Sequence, residues 1–154
     1  MISIESRQQF AGSYIARGLD ERQIDEIASM LSEVNFTEGD AIFQQDDDGG
    51  DLYIVLEGKA VIRASNGDLM ARIKPGGVFG EISLLDQRQR SATVIAESDV
   101  VLLRLSSAKL QVALEQGSLT AVRLLRNIAM VVCERLRSAN LQIEALLLAT
   151  GMDI

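Results

Sequence analysis

The sequence predicts an α+β fold that is mainly β: a small antiparallel barrel or jelly roll of about eight strands, helices before it and one long helix after it. Three observations predict this. From Val34 to Leu105, apolar and polar residues alternate with a period of two. Turn signals cut that region into short, evenly spaced pieces. After Ser118 an unbroken helical pattern reaches about Leu148. With 154 residues, 47% apolar and 24% charged, the chain suits one folded domain over 1–154.

Residues 1–19 have weak patterning and predict a helical turn or two. "LDERQIDEIASML" is clearer. Asp20 caps, Gln23 completes a capping box, and Ile24, Ile27, Ala28 and Leu31 fall at helical spacing. The strand-like region, about 34–105, contains "LYIVLEG", "KAVIRAS", "LMARIKPG", "SATVIAE" and "VVLLRLS". "EGD", "DDDGG", "NGD", "KPGG" and "ESD" separate its strands, and Asn66-Gly67 is a hairpin signal. Ten of the 12 glycines precede residue 81, most of them at these turns. "SSAKLQVALEQG" then predicts a short helix with a serine cap and Gly117 as its stop.

Ser118 caps the long helix, about 118–148, which would span about 45 Å at the α-helical rise. Val122, Leu125, Ala129, Val132, Leu136, Ala139, Ile143 and Leu146 step alternately by three and four, a heptad seam. Its first turns are expected to pack on the helix's own domain. Towards the end Ile143, Leu146, Leu147 and Leu148 stay apolar where the barrel should have run out, which predicts a parallel homodimer along this helix. Cys133, in an apolar helical stretch, is expected to be a buried thiol.

Composition excludes several functions. There is no histidine, so the commonest general base and metal ligand are absent. One cysteine allows no internal disulfide. A net charge of -7 argues against direct DNA binding. No stretch is long and apolar enough for a membrane helix, and the first ten residues lack the apolar block of a secretory signal, so a cytoplasmic protein is expected. Asp46, Asp47, Asp48 and Asp51 lack the spacing of a calcium loop and read as a solvated turn. No nucleophile–base pair emerges, so the chain is not expected to be an enzyme, and no metal or cofactor is expected.

One segment carries chemistry: "FGEISLLDQRQRSATVIAES", Phe79–Ser98. "GEISLL" is too short and non-alternating for a strand and suits one helical turn within the barrel wall. Amides exposed at such a turn make an anion site. Gly80 lets backbone approach a ligand, Glu81 offers acceptors to hydroxyls, and Arg90 offers a positive fork to a phosphate. Ser91 and Ala92 are small enough for their amides to reach the same anion. The bland alternative is a Glu81–Arg90 ion pair tying a turn. Arg88 falls out of alternation and reads as a solvated residue. No glycine-rich triphosphate loop is present.

"FGEISLLDQRQRSATVIA" resembles the phosphate-binding cassette of the cyclic nucleotide-binding domain family: Phe-Gly-Glu, an apolar residue, a small residue, Leu, a gap, then Arg-small-Ala. Phe79, Gly80, Glu81, Leu84, Arg90, Ser91 and Ala92 fit. "FTEGDAIFQQDDDGGDLYIVLEGKAVI", with Gly39-Asp40, Tyr53 and Gly58, is similar to the family's first strands. The likeness covers about residues 20–150 and is nearest in kind to bacterial catabolite activator-type sensors. It implies an eight-stranded β-roll with flanking helices. It implies that Arg90 pairs with the charged oxygen of a cyclic phosphodiester and that Glu81 accepts from the ribose 2′-OH. The amides of Ile82, Ser91 and Ala92 would complete the cradle, with Gly80 and Ser83 on the ribose side. Ile62, Met70 and Ala71 would form the wall behind sugar and base, and Ser138, Ala139 and Asn140 of the long helix would meet the purine. cAMP is the implied ligand, with cGMP and a cyclic dinucleotide as alternatives. A helix shift passed to an unknown effector protein is the implied output. Some members of this fold bind no nucleotide and serve only for dimerisation or docking. Two departures stand out. Asp46 replaces a glycine common in the family, a position that Asp tolerates in left-handed turns. "LLLATG" resembles the exit towards a DNA-binding domain, yet no helix-turn-helix follows before Ile154, so regulation by direct DNA contact is not expected.

Overall fold

The computed structural model describes residues 1–152. Helix α1 (Ile4–Ala11) is followed by a 3-10 turn (Tyr14–Ala16) and α2 (Glu21–Ala28). The strands are β1 (Leu31–Phe36), β2 (Ala41–Phe43), β3 (Leu52–Glu57), β4 (Ala60–Arg63), β5 (Leu69–Ile73), β6 (Val78–Phe79), β7 (Thr93–Ala96) and β8 (Val100–Leu105). Helix α3 (Glu81–Asp86) interrupts them, and α4 (Ser107–Glu115) and α5 (Leu119–Ala149) follow. The predicted eight-stranded antiparallel roll is present as two four-stranded sheets, ordered β1-β8-β3-β6 and β2-β7-β4-β5.

The alternation along the strands sorts side chains between two cores. Leu52, Ile54 and Leu56 of β3 and Leu103 and Leu105 of β8 pack with Phe10, Ile15, Ile27, Leu124 and Ile128 from the helices. Their neighbours Tyr53, Val55, Val100 and Leu102, with Phe79 of the same sheet, face Ile42, Val94 and Ala96 of the second. Strand β3 is therefore buried at five consecutive positions. It lies between helices and sheet, so both faces are covered.

Local chemistry fixes the ends. Asp20 and Gln23 form the expected capping box of α2. Leu31 does not extend that helix: α2 stops at Ala28 and Leu31 opens β1, three residues before the predicted start of the strand region. Ser118 accepts from the Ala121 amide to start α5 and donates to Glu26 Oε1 at 2.6 Å, which ties α5 to α2. That bond, with a lesser one from Thr120, holds the Glu26 carboxyl below its usual range.

The long helix departs from its predicted phase. Ala121, Leu124 and Ile128 are the side chains it buries in its own domain. The heptad seam lies one residue further round. Val122, Leu136, Ile143 and Leu146 are 50%, 59%, 55% and 64% exposed, while Leu125 is partly buried against the helical core, so the domain takes the seam's first turns only in part. Each residue turns a helix by about 100°, so a stripe that starts one residue later is rotated off the packed face. Cys133, expected to be buried, is exposed for the same reason.

Candidate functional site

The roll presents one segment, Gly80–Ala92, that is neither strand nor simple turn. Gly80 has φ +84, and a Cβ there would stand 2.8 Å from the Asp51 carbonyl oxygen and 3.1 Å from Arg90 Nη1. Only glycine fits both the conformation and the space. Helix α3 follows as the expected short turn, ended by Gln87 at φ 58. The returning loop is pinned from outside: the Arg90 amide donates to Asp47 O at 2.9 Å, and the Asp46 amide donates to Arg90 O at 2.8 Å. Asp46 has φ 69, the left-handed conformation its side chain tolerates.

Arg90 is the centre of the site. It is 4% exposed. Nη2 donates to Asp51 O at 2.7 Å and Nη1 to Gly80 O at 3.3 Å. Its guanidinium carbon lies 4.0 Å from the centre of the Phe43 ring. That ring is itself packed on Phe79, which stacks on Tyr53 at 5.2 Å. Nε is buried without a hydrogen-bond partner. Among the described residues no carboxylate lies within 4.0 Å of Arg90, which removes the bland Glu81–Arg90 ion pair. Burial pushes its pKa down, against the opposing influence of Tyr53, Asp51, Asp47 and Glu81. A buried, unneutralised cation with a spare donor is costly unless an anion meets it.

Glu81 is also buried, and its partner comes from α5. Arg135 Nη1 lies 2.6 Å from Glu81 Oε1, and Arg135 Nη2 donates to the Val78 carbonyl. The long helix is thus latched to the cassette. Sequence reasoning missed Arg135. Its usable signal was position: it falls one residue before seam member Leu136, on the turn that crosses the barrel.

These groups line a cavity of about 510 Å³ between the β4–β5–β7 wall, α3 and α5. Ile62, Met70, Ala71, Gly80, Glu81, Ile82, Ser83, Arg90, Ser91 and Ala92 all line it, as does Ala139. Ser138 and Asn140 do not; both are exposed. The helix turns Val132, Arg135, Leu136, Ala139 and Gln142 inward, and the two neighbours of Ala139 point about 100° to either side. Phe43, Ile73, Val94, Arg135 and Gln142 are the lining residues the sequence reading did not name, and Val132 and Leu136 it placed only in the seam. Val132, Leu136 and Ala139 belong to the cavity and to the heptad seam at once. A larger cleft, about 840 Å³, lies behind α3, with exposed Arg88 and Asp48 at its rim. The buried, partnerless donor belongs to the smaller one.

Fold and site define a class: an antiparallel β-roll whose wall and flanking helix enclose a pocket lined by a buried arginine. Residues 33–117 match the cyclic nucleotide-binding domain family, and the chain belongs to it. It is 34% identical over 139 residues to the cyclic AMP receptor protein of Thermus thermophilus, covering 88% of this chain and 62% of that one. Over 87 residues it is 37% identical to the cAMP-dependent protein kinase regulatory subunit of Dictyostelium discoideum, covering 52% of this chain and 27% of the relative. The chain therefore spans under two thirds of either relative. A crystal structure of a putative cyclic nucleotide-binding protein from Geobacter metallireducens superposes with a TM-score of 0.75 at 26% identity, covering 88% of this chain and 99% of that one. No helix among the described residues is long and apolar enough to cross a membrane.

Proposed function

We propose that this chain is a cyclic nucleotide sensor whose preferred ligand is cAMP. The observation that carries the proposal is Arg90: a buried guanidinium, held by two carbonyls, with Nε unpartnered and no carboxylate beside it. A single-charged cyclic phosphate satisfies it. Glu81, with Oε1 held by Arg135, keeps Oε2 for a ribose hydroxyl. The loop amides of Ser91 and Ala92 form no hydrogen bond within the protein among the described residues and serve as further phosphate donors.

The chain works as one regulatory domain without catalysis, metal or cofactor, in the cytoplasm. It acts as a homodimer along α5 and makes no direct contact with DNA. Ligand in the cavity touches Val132, Leu136 and Ala139, shifts α5 and changes the surface offered to an effector protein. A cyclic dinucleotide would need a second free cation, and Arg135 is committed to Glu81. The exposed apolar seam alone favours a second reading, a nucleotide-independent dimerisation module. Calorimetry on the full chain separates the two. cAMP is expected to bind at micromolar strength or better, and Arg90→Ala to cost about 2–5 kcal/mol of binding. No heat and no thermal shift with cAMP or cGMP would refute the sensor and leave the module.

A further inference from the structure

Strand β2 carries an irregularity beside the site. Ala41 pairs with Ile95 of β7 and Phe43 with Val94, so β2 advances two residues while its partner advances one. The extra residue makes a β-bulge, a device that re-aims a side chain next to a site. Here two consecutive residues, Ile42 and Phe43, both pack on the core between the sheets. Ile42 is buried in that core. Phe43 is half-buried and also lines the cavity, where the Arg90 guanidinium carbon stands over its ring. The ring has support of its own: Phe79 lies 5.9 Å from it and Tyr53 6.1 Å, centre to centre.

We infer that Phe43 is a positioning residue for phosphate binding: its π face seats the Arg90 guanidinium in the binding orientation before ligand arrives. The inference rests on the nucleotide reading above. Arg90 is buried, and among the described residues it has no carboxylate partner to hold it. Its two hydrogen bonds leave from Nη1 and Nη2, to Gly80 O and Asp51 O. Two such bonds fix a line, and a planar group can still swing about that line. A ring centred 4.0 Å from Cζ stops the swing on its side and attracts the cation through its quadrupole. A carboxylate in the same place would hold the cation more strongly, but it would also neutralise it and compete with the phosphate. An aromatic face supports the charge and leaves it unneutralised. Orientation settled in the free protein is an ordering cost that binding no longer carries, which raises affinity. An aliphatic side chain of similar size would fill the space and offer no such face.

In the test, cyclic AMP is titrated on the full chain for the wild type, Phe43→Leu, Phe43→Tyr and a protein carrying pentafluorophenylalanine at position 43. Thermal melts show that each variant folds; should Phe43→Leu not fold, the fluorinated ring decides. Leucine fills much of the space without a π face, and tyrosine keeps the face. The fluorinated ring keeps the shape and reverses the quadrupole, so packing alone does not account for its effect. Phe43→Leu and the fluorinated ring should each weaken binding by about tenfold. Phe43→Tyr should stay within about threefold of the wild type. Nuclear magnetic relaxation of the Arg90 Nε–H bond in the ligand-free protein gives an independent reading: the bond should be rigid in the wild type and Phe43→Tyr, and mobile in the other two. An affinity within about twofold of wild type for the fluorinated ring, or an Nε–H bond equally rigid in all four proteins, overturns the inference and leaves the sensor reading standing. Failure of the wild type to bind cyclic AMP overturns both.

Discussion

Arg90 should be a residue that the ligand-free protein does not need for stability. Replacing it with methionine, similar in reach and uncharged, removes two hydrogen bonds and leaves the Asp51 and Gly80 carbonyls without that donor. With a charged donor, those losses amount to about 2 kcal/mol each. The cation–π contact with Phe43 adds about 1 kcal/mol. Against this total of about 5 kcal/mol, the variant no longer buries a charge, a penalty of several kcal/mol in real proteins. It also no longer strands Nε, worth about 1–3 kcal/mol. The expected net change is within about 1 kcal/mol of zero, or about 4 °C in Tm for a domain of this size. Calorimetric melting with and without cAMP measures both halves. In wild type, ligand at 100 times Kd should add about 2.7 kcal/mol; in Arg90→Met that increment should vanish. An unliganded Arg90→Met destabilised by more than about 3 kcal/mol would refute the reasoning, because Arg90 would then be a structural cation already satisfied by its carbonyls.

Three other outcomes are expected. Arg135→Ala removes the partner of buried Glu81 and the latch to Val78; nucleotide affinity should fall by about 1–2 kcal/mol, read by titration, with faster amide exchange in the second half of α5. Ile143→Asp alters the seam without touching the cavity, so it should shift sedimentation from dimer to monomer; a wild-type monomer at high concentration would defeat the dimer. Glu26 has its pKa lowered in the folded protein, chiefly by the Ser118 hydroxyl. Its contribution is therefore present above the unfolded carboxylate range and lost as pH falls through the folded value. Glu26→Gln should lose about 0.5 kcal/mol at pH 7, discounted for solvent screening, and nothing relative to wild type once pH is well below 4, as denaturant melts at both pH values would show.

Much of this was legible in the sequence because the residues involved act locally. The capping box at Asp20–Gln23 and the serine cap of α5 depend on neighbours a few positions away. Gly80 and Arg90 sit in a contiguous motif whose spacing survives folding. What failed depended on rotation about a helix axis. The apolar residues of α5 occupy two adjacent stripes, Ala121–Leu124–Ile128 and Val122–Leu125–Ala129, and periodicity alone does not say which one the barrel takes. That choice exposes Cys133 and turns Ser138 and Asn140 out of the cavity. Arg135 escaped notice because its partner Glu81 lies 54 positions earlier, a pairing that only the three-dimensional fold creates. The five buried residues of β3 gave a weak polarity signal for a related reason, since both faces of that strand are covered.

Val132, Leu136 and Ala139 line the cavity and are members of the heptad seam. With a second helix on that seam, filling the cavity and joining two chains draw on the same atoms. Linkage is reciprocal: whatever factor pairing imposes on nucleotide affinity, nucleotide imposes on pairing. The half-saturating ligand concentration is then no fixed property of the pocket. In the proposed dimer it would move with how much of the protein the cell makes, and a change in expression would retune the threshold without altering a residue.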